Sequence, residues 1–338
     1  MVGLHPWQNE INVLSSLSPS MRITENETLS DWQEAARKKL RELLGLAYFH
    51  RCEDLFRIEN TQKKGCWTET RFVFQTEQGY FVPCIFVKPK KPRSSPPPVM
   101  ICLQGHSTGM HNSFGITKYP GDRGGEENGD RDFAVQCAKL GLCAVTVEQR
   151  CFGECGGTPK PDCYSTAMTA ILSGRTLLGG RVWDIGRVID MLETHFADVC
   201  DTDKIYCMGN SGGGTATIYA AAMDTRIKGA IPSCAFCTFV DSIGDKYHCA
   251  CNYVPGIARY FGMAELCGLI APRPLTVVTG KTDPIFPSDA AAAEFKLVRD
   301  LYYAKAGASD KCAQVIGDGG HRFYKADAWP VFFGMTEK

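Results

Sequence analysis

The 338-residue sequence carries no net charge, because 37 lysines and arginines face 37 aspartates and glutamates. With no surplus of either sign, nothing in its electrostatics draws the chain to nucleic acid or to an anionic membrane, and a small neutral partner fits better. Long apolar runs are missing too, so no stretch reads as a membrane span. The opening residues, MVGLHPWQNEINVLSSLSPS, have neither a basic n-region nor an unbroken apolar h-region. A cytoplasmic protein is therefore expected. There is no internal repeat and no linker between domains, which leaves one large folded unit as the expectation.

What the chain does have is 44% hydrophobic and 22% charged residues, enough for a sizeable core. It also has 17 cysteines, many inside apolar, strand-like runs such as VMICLQ, LCAVTV and KIYCMG. In a reducing compartment these behave as small buried hydrophobes. One group reads differently: Cys234 and Cys237 form a C-x-x-C, and His248, Cys249 and Cys251 follow closely, a set that could ligate zinc or form a redox pair. Against this, Cys234 falls in an apolar strand and C-x-C is not the spacing of usual zinc knuckles. Buried thiols are expected, with no metal and no cofactor.

Along the chain, residues 1–65 read as a helical arm. Its amphipathic segment SDWQEAARKKLRELLGL has Ser30 or Asp31 as candidate caps and Gly45 as a stop. Residues 66–338 read as the main folded domain. TETRFVFQT and YFVPCIFVKP alternate apolar and polar residues around Glu77-Gln78-Gly79, predicting an antiparallel hairpin. Beyond SSPPP, apolar strand candidates alternate with helical stretches, which predicts a mostly parallel sheet covered by helices on both faces.

The pattern G-x-S-x-G occurs twice, as Gly209-Asn210-Ser211-Gly212-Gly213 and as Gly105-His106-Ser107-Thr108-Gly109. A serine nucleophile of this type needs a strand, a sharp turn and an immediate helix. KIYCMGN followed by GGGTATIYAAAM supplies all three. LQGHSTGM has the strand, but the polar, glycine-rich residues after it read as a loop. Ser211 is thus the expected nucleophile. The Ser107 loop, with Gly212, is expected to give backbone N–H groups to an oxyanion, the loop's donor being His106 or Ser107. For the acid, Asp283 follows the strand RPLTVVTG, with Asp289 and Asp318 as rivals. For the base, His321 follows the last strand, whereas His111, His195 and His248 do not. Asp184 and Arg187, one helical turn apart, predict an ion pair.

The ordered motifs LQGH, EQRCFGECGG, WDIGRVIDML, GNSGGG, GKTDPIFP and GGHRF resemble the bacterial α/β-hydrolases grouped with acetyl xylan esterases and cephalosporin-C deacetylases. The resemblance spans roughly residues 67–330. It implies the α/β-hydrolase fold and serine hydrolysis of small acyl esters, often acetyl groups on sugars. Two departures stand out: Gly212 where those deacetylases commonly have glutamine, and Arg150-Cys151 where they have an arginine-glycine pair.

Asn210, Arg150, Asn252 and Tyr253 are candidate substrate contacts, the first beside the nucleophile and the others on segments expected to border the site. Arg150 could equally form a loop salt bridge with Glu154. Expected partners are a small-molecule or carbohydrate ester, with neither nucleic acid nor membrane; homo-oligomer formation stays open. Two other readings compete: a prolyl-oligopeptidase-type serine peptidase, and a zinc- or thiol-based binding protein using Cys234, Cys237, Cys249 and Cys251.

Overall fold

The computed structural model describes residues 5–156 and 162–337. Gly157, which ends the EQRCFGECGG motif, and the first four residues of the arm lie outside the described residues. Nine strands form one sheet: β1 (Arg57–Lys64), β2 (Trp67–Glu77), β3 (Tyr80–Pro89), β4 (Pro98–Leu103), β5 (Cys143–Val147), β6 (Asp201–Asn210), β7 (Ile227–Ser233), β8 (Leu275–Gly280) and β9 (Cys312–Gly317). Their order is β1-β2-β3-β5-β4-β6-β7-β8-β9. Strands β1 to β3 are antiparallel and β3 meets β5 antiparallel, after which every pairing to β9 is parallel. Because β4 is covered on both faces, all six of its residues are buried, which is why PVMICL is a continuous apolar run.

The expected hairpin forms, with Glu77 opposite Tyr80 and Gly79 at φ +79° in the turn. Strand β1 was not anticipated. It lies inside the stretch read as an arm, and all eight residues of RIENTQKK are exposed, so no apolar alternation betrays it.

Helices Leu29–Leu43, Leu177–His195 and Gly212–Met223 contribute to the core on one face. Helices Phe133–Lys139 and Lys325–Thr336 cover the other, through Phe133, Trp329 and Phe332. In the first of these, Trp32, Ala36 and Leu40 recur at helical spacing and are buried. Trp32 Nε1 donates to the Met21 carbonyl at 2.6 Å. Truncating a buried tryptophan typically costs about 3–5 kcal/mol, so the arm is anchored to the main body. Its cap is Thr28, whose Oγ1 accepts from Asp31 N at 3.2 Å, rather than Ser30 or Asp31. The helix begins two or three residues before the start that Ser30 or Asp31 as cap would set, and Gly45 at φ +70° follows its end.

The anticipated Asp184–Arg187 pair does not form. Asp184 accepts two hydrogen bonds from the Arg150 guanidinium, at 2.7 and 2.8 Å, and Arg187 pairs with Asp54 and Asp190. Asp184 faces the loop after β5, where a bidentate partner is available. Among the described residues, no helix is long and apolar enough to cross a membrane.

Candidate active site

Strand β6 ends at Asn210 and a helix begins at Gly212, leaving Ser211 alone at the junction with φ 55° and ψ −125°. Positive φ is costly for a residue with a side chain, and it is the sharp strand-to-helix turn that lifts a serine Oγ clear of a sheet edge. The surrounding glycines are a packing requirement. A Cβ on Gly213 would lie 2.2 Å from the Leu103 carbonyl oxygen, and one on Gly209 would lie 2.4 Å from the Gly213 backbone. Ser211 N donates to the Ser233 carbonyl at 2.8 Å, tying the turn to β7. Ser107, by contrast, is followed by a short 3-10 turn, Met110–Phe114, and its Oγ is buried without a hydrogen-bond partner.

Asp283 lies in the loop after β8, and its Oδ2 stands 2.7 Å from His321 Nδ1. Its other oxygen, Oδ1, accepts from Ile285 N at 3.0 Å and Phe286 N at 3.1 Å. Burial alone would raise its pKa. The hydrogen bond and charge of His321, with the two backbone N–H groups, outweigh burial and hold the carboxyl below its ordinary value. Asp289 and Asp318 are exposed, and neither bonds His321 among the described residues. The structure thus brings Asp283 and His321 together. It forms no hydrogen bond between His321 and Ser211 among the described residues, a contact that in many hydrolases tightens only with substrate.

Gly212 is the first residue of its helix, so its N–H has no acceptor within that helix. Beside it stands the His106 ring, 2.9 Å from where a Gly212 Cβ would be. The loop carrying His106 is braced by Glu148, which accepts from Met110 N at 3.1 Å and from Glu154 N at 3.4 Å. Burial raises the Glu148 pKa to about 7, against those two N–H groups.

Each of the four candidate substrate contacts makes at least one hydrogen bond or ion pair to the scaffold. Asn210 is fully buried and its Oδ1 accepts from Ser233 Oγ at 2.8 Å. Asn252 is buried and joins Thr215 Oγ1 to the Cys249 carbonyl, while Tyr253 donates to the Ile243 carbonyl at 2.9 Å. Both line a groove of about 250 Å³ against Val13, Leu14 and Leu17 of the arm. Arg150 is held by Asp184 and Glu77, not by Glu154, which pairs with Arg71. Sequence neighbourhood put these residues near Ser211; hydrogen bonds and ion pairs to the scaffold take up most of their polar groups, while Asn210 Nδ2 is buried with no partner among the described residues.

The cysteine group also divides differently from the expected set. Cys237 Sγ lies 3.6 Å from the Pro287 carbonyl oxygen, and Cys234, at φ 46°, sits with Asp283 and His321. Cys249 and Cys251 gather instead with His106 and Cys163, their ligand atoms all within 4.8 Å of one another. Cys163 had no sequence signal, since it is 86 residues from Cys249 in the chain.

Against His321 opens a cavity of about 320 Å³ whose lining includes Arg123, Arg131 and Arg322, with Glu127 as the one carboxylate. Arg322 pairs with Asp130, while the Arg131 guanidinium bonds only Asn128, through its carbonyl and Oδ1, among the described residues. The loop above it is organised by Asp122, which accepts from Thr108 Oγ1, His111, Lys118 N and Tyr119 N. Here the chain builds a second His–Asp contact, at 3.0 Å, whose role is to fold a loop.

No family model matches the chain. It is 27% identical over 249 residues to YtaP of Bacillus subtilis (strain 168), a provisionally named hydrolase, covering 72% of this chain and 79% of that one. A solved structure from Bacteroides fragilis NCTC 9343, provisionally named an acetyl xylan esterase, superposes with a TM-score of 0.77 at 16% identity, over 98% of this chain and 90% of that one. A glucuronoyl esterase from Solibacter usitatus superposes with a TM-score of 0.69 at 14% identity, over 95% and 97%. At such identities the likeness is one of architecture: the chain has the α/β-hydrolase fold shared by these structures.

Proposed function

We propose that the protein is a serine carboxylic-ester hydrolase acting on small acyl esters, with acetylated carbohydrates as the favoured substrate class. The observation that carries this reading is Ser211 held at φ 55° on the edge of the sheet that also presents the Asp283–His321 pair. The esterase names of the structural neighbours support it by analogy.

In this mechanism Ser211 Oγ attacks the ester carbonyl carbon while His321 Nε2 takes its proton. Asp283, bonded to Nδ1, fixes the imidazole tautomer and stabilises the imidazolium that forms. The N–H groups of Gly212 and His106 receive the oxyanion. His321 returns the proton to the departing alcohol, then takes one from water, which releases the acyl group as a carboxylic acid.

The arginine-lined cavity beside His321 favours a second reading, in which the alcohol or acyl portion carries a carboxylate near the ester. One panel distinguishes the possibilities. Values of kcat/KM should fall from p-nitrophenyl acetate to butyrate to octanoate, and acetylated xylo-oligosaccharides should be turned over. A rise with chain length overturns the small-acyl preference, and faster turnover of uronate-bearing esters favours the second reading. Absence of hydrolysis of every ester, with no labelling of Ser211 by a fluorophosphonate, overturns the esterase reading itself.

A further inference from the structure

Behind the His106 loop lies a set of side chains that ester hydrolysis does not use. His106 Nε2 is 3.1 Å from Cys251 Sγ, and Cys163 and Cys249 complete a group whose four ligand atoms lie within 4.8 Å of one another. Cys163 and Cys251 are buried. These residues come from three separate segments: the loop after β4, the approach to helix Tyr164–Leu172, and the turn Ala250–Asn252.

A buried cation adjoins them. Arg181 is 1% exposed and forms no ion pair with a carboxylate among the described residues. One guanidinium nitrogen donates to the Arg150 carbonyl at 2.9 Å and contacts Cys163 Sγ at 3.4 Å, while Nε is buried with no partner. The guanidinium lies 4.2 Å from the centre of the Phe152 ring, which also packs edge-on to His106. A buried guanidinium without a counter-charge is expensive, and neutral thiols do not offset it.

We infer that this cluster is a structural zinc site, with Sγ of Cys163, Cys249 and Cys251 and Nε2 of His106 as ligands. Three thiolates and one imidazole are a standard tetrahedral donor set, in which sulfur atoms about 2.3 Å from zinc stand about 3.8 Å apart. Contracting the observed group to that size needs shifts of about 1 Å or less. Charge balance follows. On binding, three S–H groups give their protons to solvent, the neutral imidazole gives none, and a dication with three thiolates carries one net negative charge. Arg181 supplies the matching positive charge beside Cys163. Coordination through the side chain leaves the backbone N–H of His106 free and pins its loop to the Cys249–Cys251 segment.

The full-length protein, purified without chelator under reducing conditions, should contain one zinc ion per chain by plasma mass spectrometry. Exchange for Co²⁺ should give thiolate-to-metal charge-transfer bands and the intense visible bands of tetrahedral coordination. Cys163→Ser and Cys251→Ser should each lose stoichiometric metal, while Cys237→Ser, outside the cluster, should keep it. Arg181→Met should weaken zinc affinity by about 10–100-fold, the usual effect of removing an outer partner of a ligand. Should the cysteine variants fail to fold, the cobalt spectrum of the unaltered chain decides. The inference is overturned if the protein holds no zinc before or after reconstitution, if zinc persists in both cysteine variants, or if cobalt shows no thiolate band.

Discussion

His106 occupies the space that a side chain on Gly212 would need, its Nδ1 falling 2.9 Å from the position of a Gly212 Cβ. This accounts for one departure from the deacetylases the sequence resembles: a glutamine after the nucleophile cannot coexist with this imidazole in this rotamer.

Gly212→Ala should therefore leave the fold intact, since alanine is favourable in a helix, but displace the His106 ring and its loop. With one oxyanion donor misplaced, kcat on p-nitrophenyl acetate should fall about 100-fold or more. Unchanged kcat would show that the His106 loop does not serve the oxyanion.

Ser211→Ala should lower kcat by about five to six orders of magnitude, because triad members act as a unit. Ser107→Ala should cost far less, since a backbone N–H survives the change. The reverse ranking, in variants whose circular dichroism matches the parent, would transfer the nucleophile to Ser107.

Asp283→Asn should keep the Ile285 and Phe286 hydrogen bonds through its remaining oxygen. It should favour the wrong His321 tautomer and cost on the order of 10⁴ in kcat. Near-normal turnover, with collapse in Asp289→Asn or Asp318→Asn, would place the acid elsewhere.

Glu148 makes a prediction about stability rather than rate. Its folded-state pKa of about 7 exceeds the ordinary 4.5, so the folded chain holds an extra proton between those values. The associated stability is fully present below about 4.5 and is lost as pH rises through about 7, a swing on the order of 3 kcal/mol for a group this buried. Glu148→Gln cannot titrate. Urea denaturation across this window should show the parent losing stability relative to the variant as pH rises; a constant difference would contradict the buried, protonated carboxyl.

The parts of this molecule legible in its sequence were those set by local pattern. GNSGGG between an apolar strand and a small-residue helix marked the elbow, and Asp283 and His321 stood out because each follows a strand. What stayed hidden depends on long-range packing. Strand β1 is exposed throughout and has Ile58 as its one large apolar residue, so only its pairing with β2 defines it. Asp184 meets Arg150 across 34 residues rather than Arg187 across three. The Cys163 contact with the 249–251 segment has no spacing for a motif to detect, and Asn210 is adjacent to the nucleophile in sequence yet turns into the core.

The outermost strand bears on how copies of the chain behave toward one another. A sheet edge offers unpaired amides to any passing strand, and a long apolar edge invites aggregation. Strand β1 closes its end of the sheet with Arg57, Glu59, Lys63 and Lys64 all exposed among eight exposed residues. Pairing a second β1 against it would bring those charges together and offer only Ile58 for apolar burial in return. The same polarity that conceals β1 from a hydrophobicity reading thus keeps that edge from recruiting further strands at high concentration.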